Sequence, residues 1–475
     1  MTPRAQGTTN ESPRSRHTAT AVAALTLIVV TFAAAFAMTR VPSVITPVAQ
    51  TEVEVSASDR VLIVSPHPDD ESIACSGLIQ HALAAGAQVH VLWMTAGDHN
   101  LIGPPLFWRK AAVTPAGFQD IGHRRIQEAR AAAAVLGLKQ QDLIFLGYPD
   151  MGLLDIFLQQ WSSRPYRSGL TNTTSVPYAE SIVAGQPQTA KNLLADVEQV
   201  MSLFNPTVVA YPNLIDFHPD HQATGLVVTA AMADLHMTPR RLEYVVHVNG
   251  WPRPLRYAPF VDSYAPPAAR VLGLQQEVVH LTPEEVQVKT HAIQAHASEL
   301  LPLSTLVAFA RRTEVFLAPA DLDNTTDPEQ LARFFFPVNR ITDNDRPTVR
   351  RVSISRTARQ TNMTMEMDRS LSGLEEMELL LFPLPGDGSF SKAPKLRLVY
   401  RGGRRTAEVQ DLAQPGAKSV TVSMTQVGAE ITVELSDELA GGIPRGFFIR
   451  LERGPGAIDT TRSRTVWVAI APMAP

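Results

Sequence analysis

Residues 61–72 read VLIVSPHPDDES, an uncharged run that empties into a cluster of polar side chains. Val61 to Val64 has the β-branched character of a strand buried on both faces, as in a parallel sheet. Pro66 and Pro68 deny the next residues a regular ladder. Asp69 and Asp70 suit the start of a helix, which Ile73 to Ala85 continues with apolar periodicity. Capping needs one such side chain. This loop carries the imidazole of His67 and the carboxylates of Asp69, Asp70 and Glu71, a surplus that calls for chemistry.

The alternation continues downstream. Strands are expected at 60–65, 87–95, 142–147, 207–211 and 241–248, and helices at 71–85, 119–137, 189–204, 221–234 and 283–298. Uncharged strands alternating with helices predict an α/β domain, a Rossmann-like mostly parallel sheet flanked by helices, over residues 59–340. In such sheets ligands gather beyond the carboxyl ends of the strands, where 66–71 falls. The interval 152–188 breaks the pattern. Its Ser, Thr and Pro content, with Arg164 and Arg167, reads as a substrate-facing loop. Past DNDRPT (343–348) the segments become short and alternating, such as KLRLVYR, SVTVSM and EITVEL. That predicts a C-terminal antiparallel β-sandwich domain over 345–475.

The N-terminus has its own logic. Residues 18–38 contain no charge over about the length that crosses a bilayer. Arg4, Arg14 and Arg16 precede them against Glu11 alone, which keeps 1–17 cytoplasmic and exports the rest. The segment reads as a transmembrane anchor, or as a signal peptide cleaved after Ala35-Phe36-Ala37; residues 39–58 read as a linker. The expected localisation is therefore exported: anchored to the membrane, or secreted or periplasmic after cleavage. A net charge of −4 gives no reason to expect nucleic acid, and the single cysteine, Cys75, excludes an intrachain disulfide or a thiolate metal site.

A second polar surplus is DFHPDHQ, residues 216–222, again between a strand and a helix. Two strand-end loops thus offer His67, Asp69, Asp70, Glu71, His218, Asp220 and His221. Nitrogen and carboxylate donors without thiols suit zinc or a similar divalent ion, and residues left over can serve as acid and base. Spacing does not divide the roles.

SPHPDDE at 65–71 and HPDH at 218–221 resemble the two signatures of the PIG-L/LmbE-like zinc-dependent N-acetylglucosaminyl deacetylases. TAGD (95–98), RRIQEARAAAAVLGL (124–138), LGYPDMGL (146–153) and KTHAIQAHASE (289–299) resemble segments between and after them. The likeness covers about residues 59–318. It implies one Zn2+ per chain, held by His67, Asp70 and His221. Asp69 would be the general base, and His218 would stabilise the tetrahedral intermediate and protonate the leaving amine. Asp220 would orient the ring of His218. Asp216 stands where some members carry tyrosine, a departure from the family pattern. Arg124, Asp150, Arg164, Arg167 and His247 are weaker candidates for substrate contact. For Arg124 an i,i+4 ion pair with Glu128 is the simpler account.

The resemblance implies hydrolysis of an N-acetyl group from an N-acetylglucosamine-type sugar or glycoconjugate. Two rivals stand beside it: a non-catalytic envelope glycan-binding protein, and an amidase for a larger N-acyl group.

Overall fold

The computed structural model describes residues 50–100, 114–162, 164–267, 269, 274–300, 304–318, 334–335, 349–357, 359–367, 369–373, 375–386, 388–417, 419–453 and 464–469. The leader, the apolar segment 18–38 and the expected boundary at 343–348 lie outside the described residues. Among the described residues no helix is long and apolar enough to cross a membrane.

In chain order the first domain runs β1 (Gln50–Glu52), β2 (Arg60–Ser65), α1 (Asp70–Ala74), α2 (Ser76–Ala85), β3 (Gln88–Thr95), α3 (Pro115–Val135) and β4 (Leu143–Tyr148). Then follow α4 (Leu153–Gln159), α5 (Ala190–Phe204), β5 (Val208–Pro212), α6 (Pro219–Asp234), β6 (Arg240–Tyr244) and β7 (Gln276–His280). The last are α7 (Pro283–Ala295), α8 (Ala297–Leu300) and β8 (Thr313–Leu317). The sheet order is β1-β7-β8-β6-β5-β2-β3-β4, with β8 antiparallel to both neighbours and the other pairs parallel.

The chain winds from β2 outwards through β3 and β4, then returns to the other side of β2 as β5. This reversal opens a crevice beyond the carboxyl ends of β2 and β5. Both polar loops empty into it.

Alternation along β2 explains why the strand carries no charge. Val61 and Ile63 join the core beneath α2, α3 and α7, whereas Leu62 and Val64 join the core beneath α4, α5 and α6. The expected helix over 71–85 is two helices, broken at Cys75. Glu314 starts the second one by accepting the N–H groups of Gly77 and Leu78 at 2.7 and 3.0 Å, while Lys289 neutralises it at 2.7 Å. Residues expected as linker instead add β1 to the sheet edge, where Val53 is buried. The interval 152–188 is not an open loop: it contains α4 and buries Trp161, Val176 and Tyr178.

The second domain comprises β9 (Phe334–Phe335), β10 (Val349–Arg356), β11 (Gln360–Met367), β12 (Glu376–Pro385) and β13 (Leu396–Arg401). It continues with β14 (Thr406–Asp411), β15 (Val420–Val427), β16 (Glu430–Ser436), β17 (Pro444–Arg453) and β18 (Arg464–Ala469). All pairs are antiparallel, in the order β18-β17-β12-β13-β14-β15-β16-β11-β10-β9. The sheet wraps a core of its own, including Met363, Met365, Leu379, Leu381, Leu398 and Ile431. Because β9 pairs with β10, this sheet starts before the expected boundary.

From Leu379 onwards β12 is apolar on both faces. Its residues Leu380, Phe382 and Leu384 turn away from that core and join Phe157, Trp161 and Phe448 in the core of the first domain. Lys395 is buried at this junction. It donates to the carbonyls of Phe390 and Ala393 at 2.6 and 2.7 Å and lies 4.2 Å from the Trp161 ring centroid. Burial pushes this ammonium down to about 7, while the two carbonyls and the aromatic face favour its charged form.

Candidate metal centre

Ser65 ends β2 and its hydroxyl donates to the His67 carbonyl at 2.7 Å; Thr95, at the end of β3, ties the Pro66 carbonyl. These contacts hold the proline loop open beyond the sheet. Asp70 then begins α1 and its Oδ2 accepts the His67 N–H at 2.9 Å. On the facing loop Pro219 starts α6, with His218 at the cap position, its Nδ1 accepting the Asp220 N–H at 3.2 Å.

Two ring nitrogens converge on one oxygen. His67 Nδ1 and His221 Nε2 each lie 3.2 Å from Asp70 Oδ2. The opposite nitrogen of each ring faces carboxylates: His67 Nε2 is 3.2 Å from Asp220 Oδ2 and 3.3 Å from Asp150 Oδ1, and His221 Nδ1 is 3.0 Å from Asp216 Oδ2. Carboxylates behind metal-binding imidazoles fix ring orientation and tautomer.

The donor set fits a divalent ion. His221 is fully buried, yet neither ring nitrogen makes a well-aligned hydrogen bond, which would be costly without a further partner. Ligand atoms lie within 4.8 Å of one another in three sets: His67, His218 and His221; Asp70, His221 and His247; and His67, Asp150 and Asp220. Burial opposes a charged His67, but Asp150, Asp220 and Asp70 outweigh it and raise that imidazole well above its usual range. The surroundings therefore favour positive charge.

Asp69 adopts φ 148°, a strained conformation for a non-glycine residue. Its Oδ2 accepts from Arg125 Nη2 at 3.1 Å. Burial raises this carboxyl to about 7, with Arg125 opposing and Asp70 reinforcing the rise. Glu71 is structural: its carboxylate accepts from the Trp93 indole, the Ser72 hydroxyl and the Asp69 N–H, and meets His296 at 3.1 Å. Burial and the neighbouring imidazoles hold His218 well below its usual range.

One sequence expectation needs correction. The Asp220 carboxylate does not orient His218. Its oxygens accept the N–H groups of Met151 and Leu153 at 2.6 and 3.0 Å and face His67, because the first turn of α6 points it under the 150–153 loop. Arg124 lies on the outer phase of α3, paired with Glu128 at 2.8 Å. Arg164 and Arg167 are exposed, and Arg167 donates to Asn172 of its own loop.

Asp150 and His247, by contrast, do reach the cluster. The residue missed was Arg125, buried on the same helix face as Ile121, Ile126 and Ala129. An arginine in the apolar phase of a helix was the available signal. Gly97 makes room for it: at φ +67°, a Cβ there would stand 2.5 Å from the guanidinium.

Residues 62–232 match the family model described as PIG-L: GlcNAc-PI de-N-acetylase. The chain is 29% identical over 254 residues to a 1D-myo-inositol 2-acetamido-2-deoxy-alpha-D-glucopyranoside deacetylase of Actinosynnema mirum, covering 52% of this chain and 82% of that protein. It is 32% identical over 176 residues to the deacetylase of the same name from Mycolicibacterium vanbaalenii, covering 37% of this chain and 54% of the relative. Among solved structures, the N,N'-diacetylchitobiose deacetylase from Pyrococcus horikoshii is similar with a TM-score of 0.34 and 18% identity, over 55% of this chain and 84% of that one.

Proposed function

We propose that this chain, whose residues 62–232 match the PIG-L family model, is an exported zinc-dependent deacetylase, removing the N-acetyl group from an N-acetylglucosamine-type sugar or glycoconjugate. The observation that carries this reading is the convergence of His67 Nδ1 and His221 Nε2 on Asp70 Oδ2, with the Asp69 carboxylate on the adjacent residue. The relatives named above, deacetylases of an acetamido sugar, support the substrate class. The uncharged segment 18–38 behind a basic leader supports export.

His67, Asp70 and His221 would hold the ion. When bound, it supplies a Lewis acid and lowers the pKa of water. Asp69, raised towards neutrality by burial, accepts a proton from the attacking water. His218 has Nδ1 engaged as an acceptor, so its proton sits on Nε2. Held neutral among other imidazoles, it donates that N–H to the acyl oxygen rather than standing as the acid. The proton held by Asp69 then passes to the departing amine, and the C–N bond breaks to leave free amine and acetate. Arg125 holds Asp69 in place and keeps its pKa from rising further.

The test is acetate release from a panel of N-acetylated sugars, with chelator and with restored zinc, beside Asp69→Asn. Zinc-dependent release that is lost in Asp69→Asn supports the reading. Wild-type protein that binds no metal refutes it.

A further inference from the structure

The metal set above leaves His247 without a role. It lies just past β6, and its N–H donates to Asp216 Oδ2 at 2.9 Å, as does that of Val246 at 2.8 Å. The same oxygen is 3.0 Å from His221 Nδ1. One buried carboxylate therefore fixes both the His221 ring and the backbone that carries His247.

The imidazoles crowd together. The His247 ring centroid is 4.6 Å from that of His221, nearly perpendicular at 80°, and 4.8 Å from that of His218. His67 stands 5.3 Å from His221 in the same measure. Ligand atoms of Asp70, His221 and His247 all lie within 4.8 Å of one another. Donors bound at about 2.0–2.1 Å around a tetrahedral ion stand about 3.4 Å apart. Asp70, His221 and His247 must therefore close by up to about 1.4 Å to share one centre, and His67 joins them through Asp70, whose Oδ2 lies 3.2 Å from His67 Nδ1.

We propose that His247 is a further ligand of the metal, completing the set His67, Asp70, His221 and His247. This rests on the reading that the site holds a divalent ion. Three imidazoles and one carboxylate favour a first-row ion with affinity for nitrogen over magnesium or calcium. With four protein donors, admitting a water or an acyl oxygen would call for a fifth position on the ion.

The experiment uses the full chain and two readouts independent of turnover: zinc affinity by chelator competition, and the visible absorption of the cobalt(II)-substituted protein. His247→Ala is expected to weaken zinc binding beyond the about 10- to 100-fold that loss of an outer-shell partner costs, and to change the cobalt bands. His247→Asp, which restores a donor atom, is expected to recover most of the affinity. Should His247→Ala fail to fold by circular dichroism, His247→Gln, closer in volume, replaces it.

Unchanged affinity and cobalt bands in the variant overturn the proposal, whatever happens to KM. If the bands change but no acetylated sugar is turned over by wild type, the ligand assignment stands and the substrate reading falls. Wild-type protein that binds no ion overturns both.

Discussion

Arg125→Met tests the assignment of Asp69 as the base. The side chain keeps its length and loses its charge. Arg125 Nη2 donates to Asp69 Oδ2 at 3.1 Å and to the Pro68 carbonyl at 2.8 Å, and Nη1 lies 3.2 Å from Glu299 Oε1. At about 4 Å between charge centres and an effective dielectric constant of about 20, the attraction is about 4 kcal/mol. That sets a ceiling of about 3 pKa units, and opposite charges at this range usually shift a carboxyl by about 1–3.

Asp69 already sits at about 7, so losing the guanidinium moves it higher. The expected result is an acidic limb of kcat/KM displaced upward by about 1–3 units. At pH values well below the limb of both proteins, activity falls about 10- to 1,000-fold, and it recovers as the pH is raised. A bound ion lowers the absolute position of the limb in both proteins, so the measured quantity is the difference between the two profiles. Removing one partner of a buried pair also destabilises by about 3–5 kcal/mol, so each rate is normalised to the folded fraction. A loss of activity by the same factor at every pH, with the limb in place, would refute Asp69 as the titrating base.

The same carboxyl makes a stability prediction. Its folded pKa of about 7 exceeds the unfolded value of about 3.9, so its contribution is fully present below about pH 4 and is lost as the pH rises through 7. Metal-free Asp69→Asn should therefore match wild type near pH 4 and exceed it by up to about 4 kcal/mol at pH 8; urea unfolding at both pH values decides. Arg164→Ala with Arg167→Ala should leave kcat/KM within about two-fold, since both side chains are exposed on a loop that Arg167 itself braces; a ten-fold rise in KM would place them on the substrate. Phe390→Ala should cost about 3–5 kcal/mol, because its buried ring meets Phe157, Trp161 and Phe448; calorimetry showing no fall in Tm would contradict the interface.

What could be read from the sequence follows where the physical signal is local. The uncharged strands, the proline-rich loop and the two histidine-aspartate motifs each carry their information within a few residues, and all meet at the crevice between β2 and β5. The errors arose where long-range partners decide. Asp220 sits beside His218 in sequence, yet its carboxylate is claimed by the N–H groups of Met151 and Leu153. The break at Cys75 depends on Glu314, more than two hundred residues downstream. Asp216, the departure from the family pattern, stands behind His221, 3.0 Å from its Nδ1. Arg124 and Arg125 differ by one position, and only the apolar phase of α3 separates the exposed residue from the buried one.

One short helix ties the second domain to this chemistry. At its carboxyl end, α4 and the residues after it present Phe157 and Trp161 to Phe382, Phe390 and Phe448. At its amino end, Leu153 and the preceding Met151 hold the Asp220 carboxylate, and Asp150 stands 3.3 Å from His67 Nε2. Met151 takes φ +61°, a strained value for a non-glycine residue that the packing on both sides must maintain. Aromatic burial of this extent contributes about 1.5–3 kcal/mol per ring, enough to hold a single strained residue, which costs about 1–3 kcal/mol. One end of this helix thus packs on the β-domain, and the loop at its other end meets both Asp220 and His67.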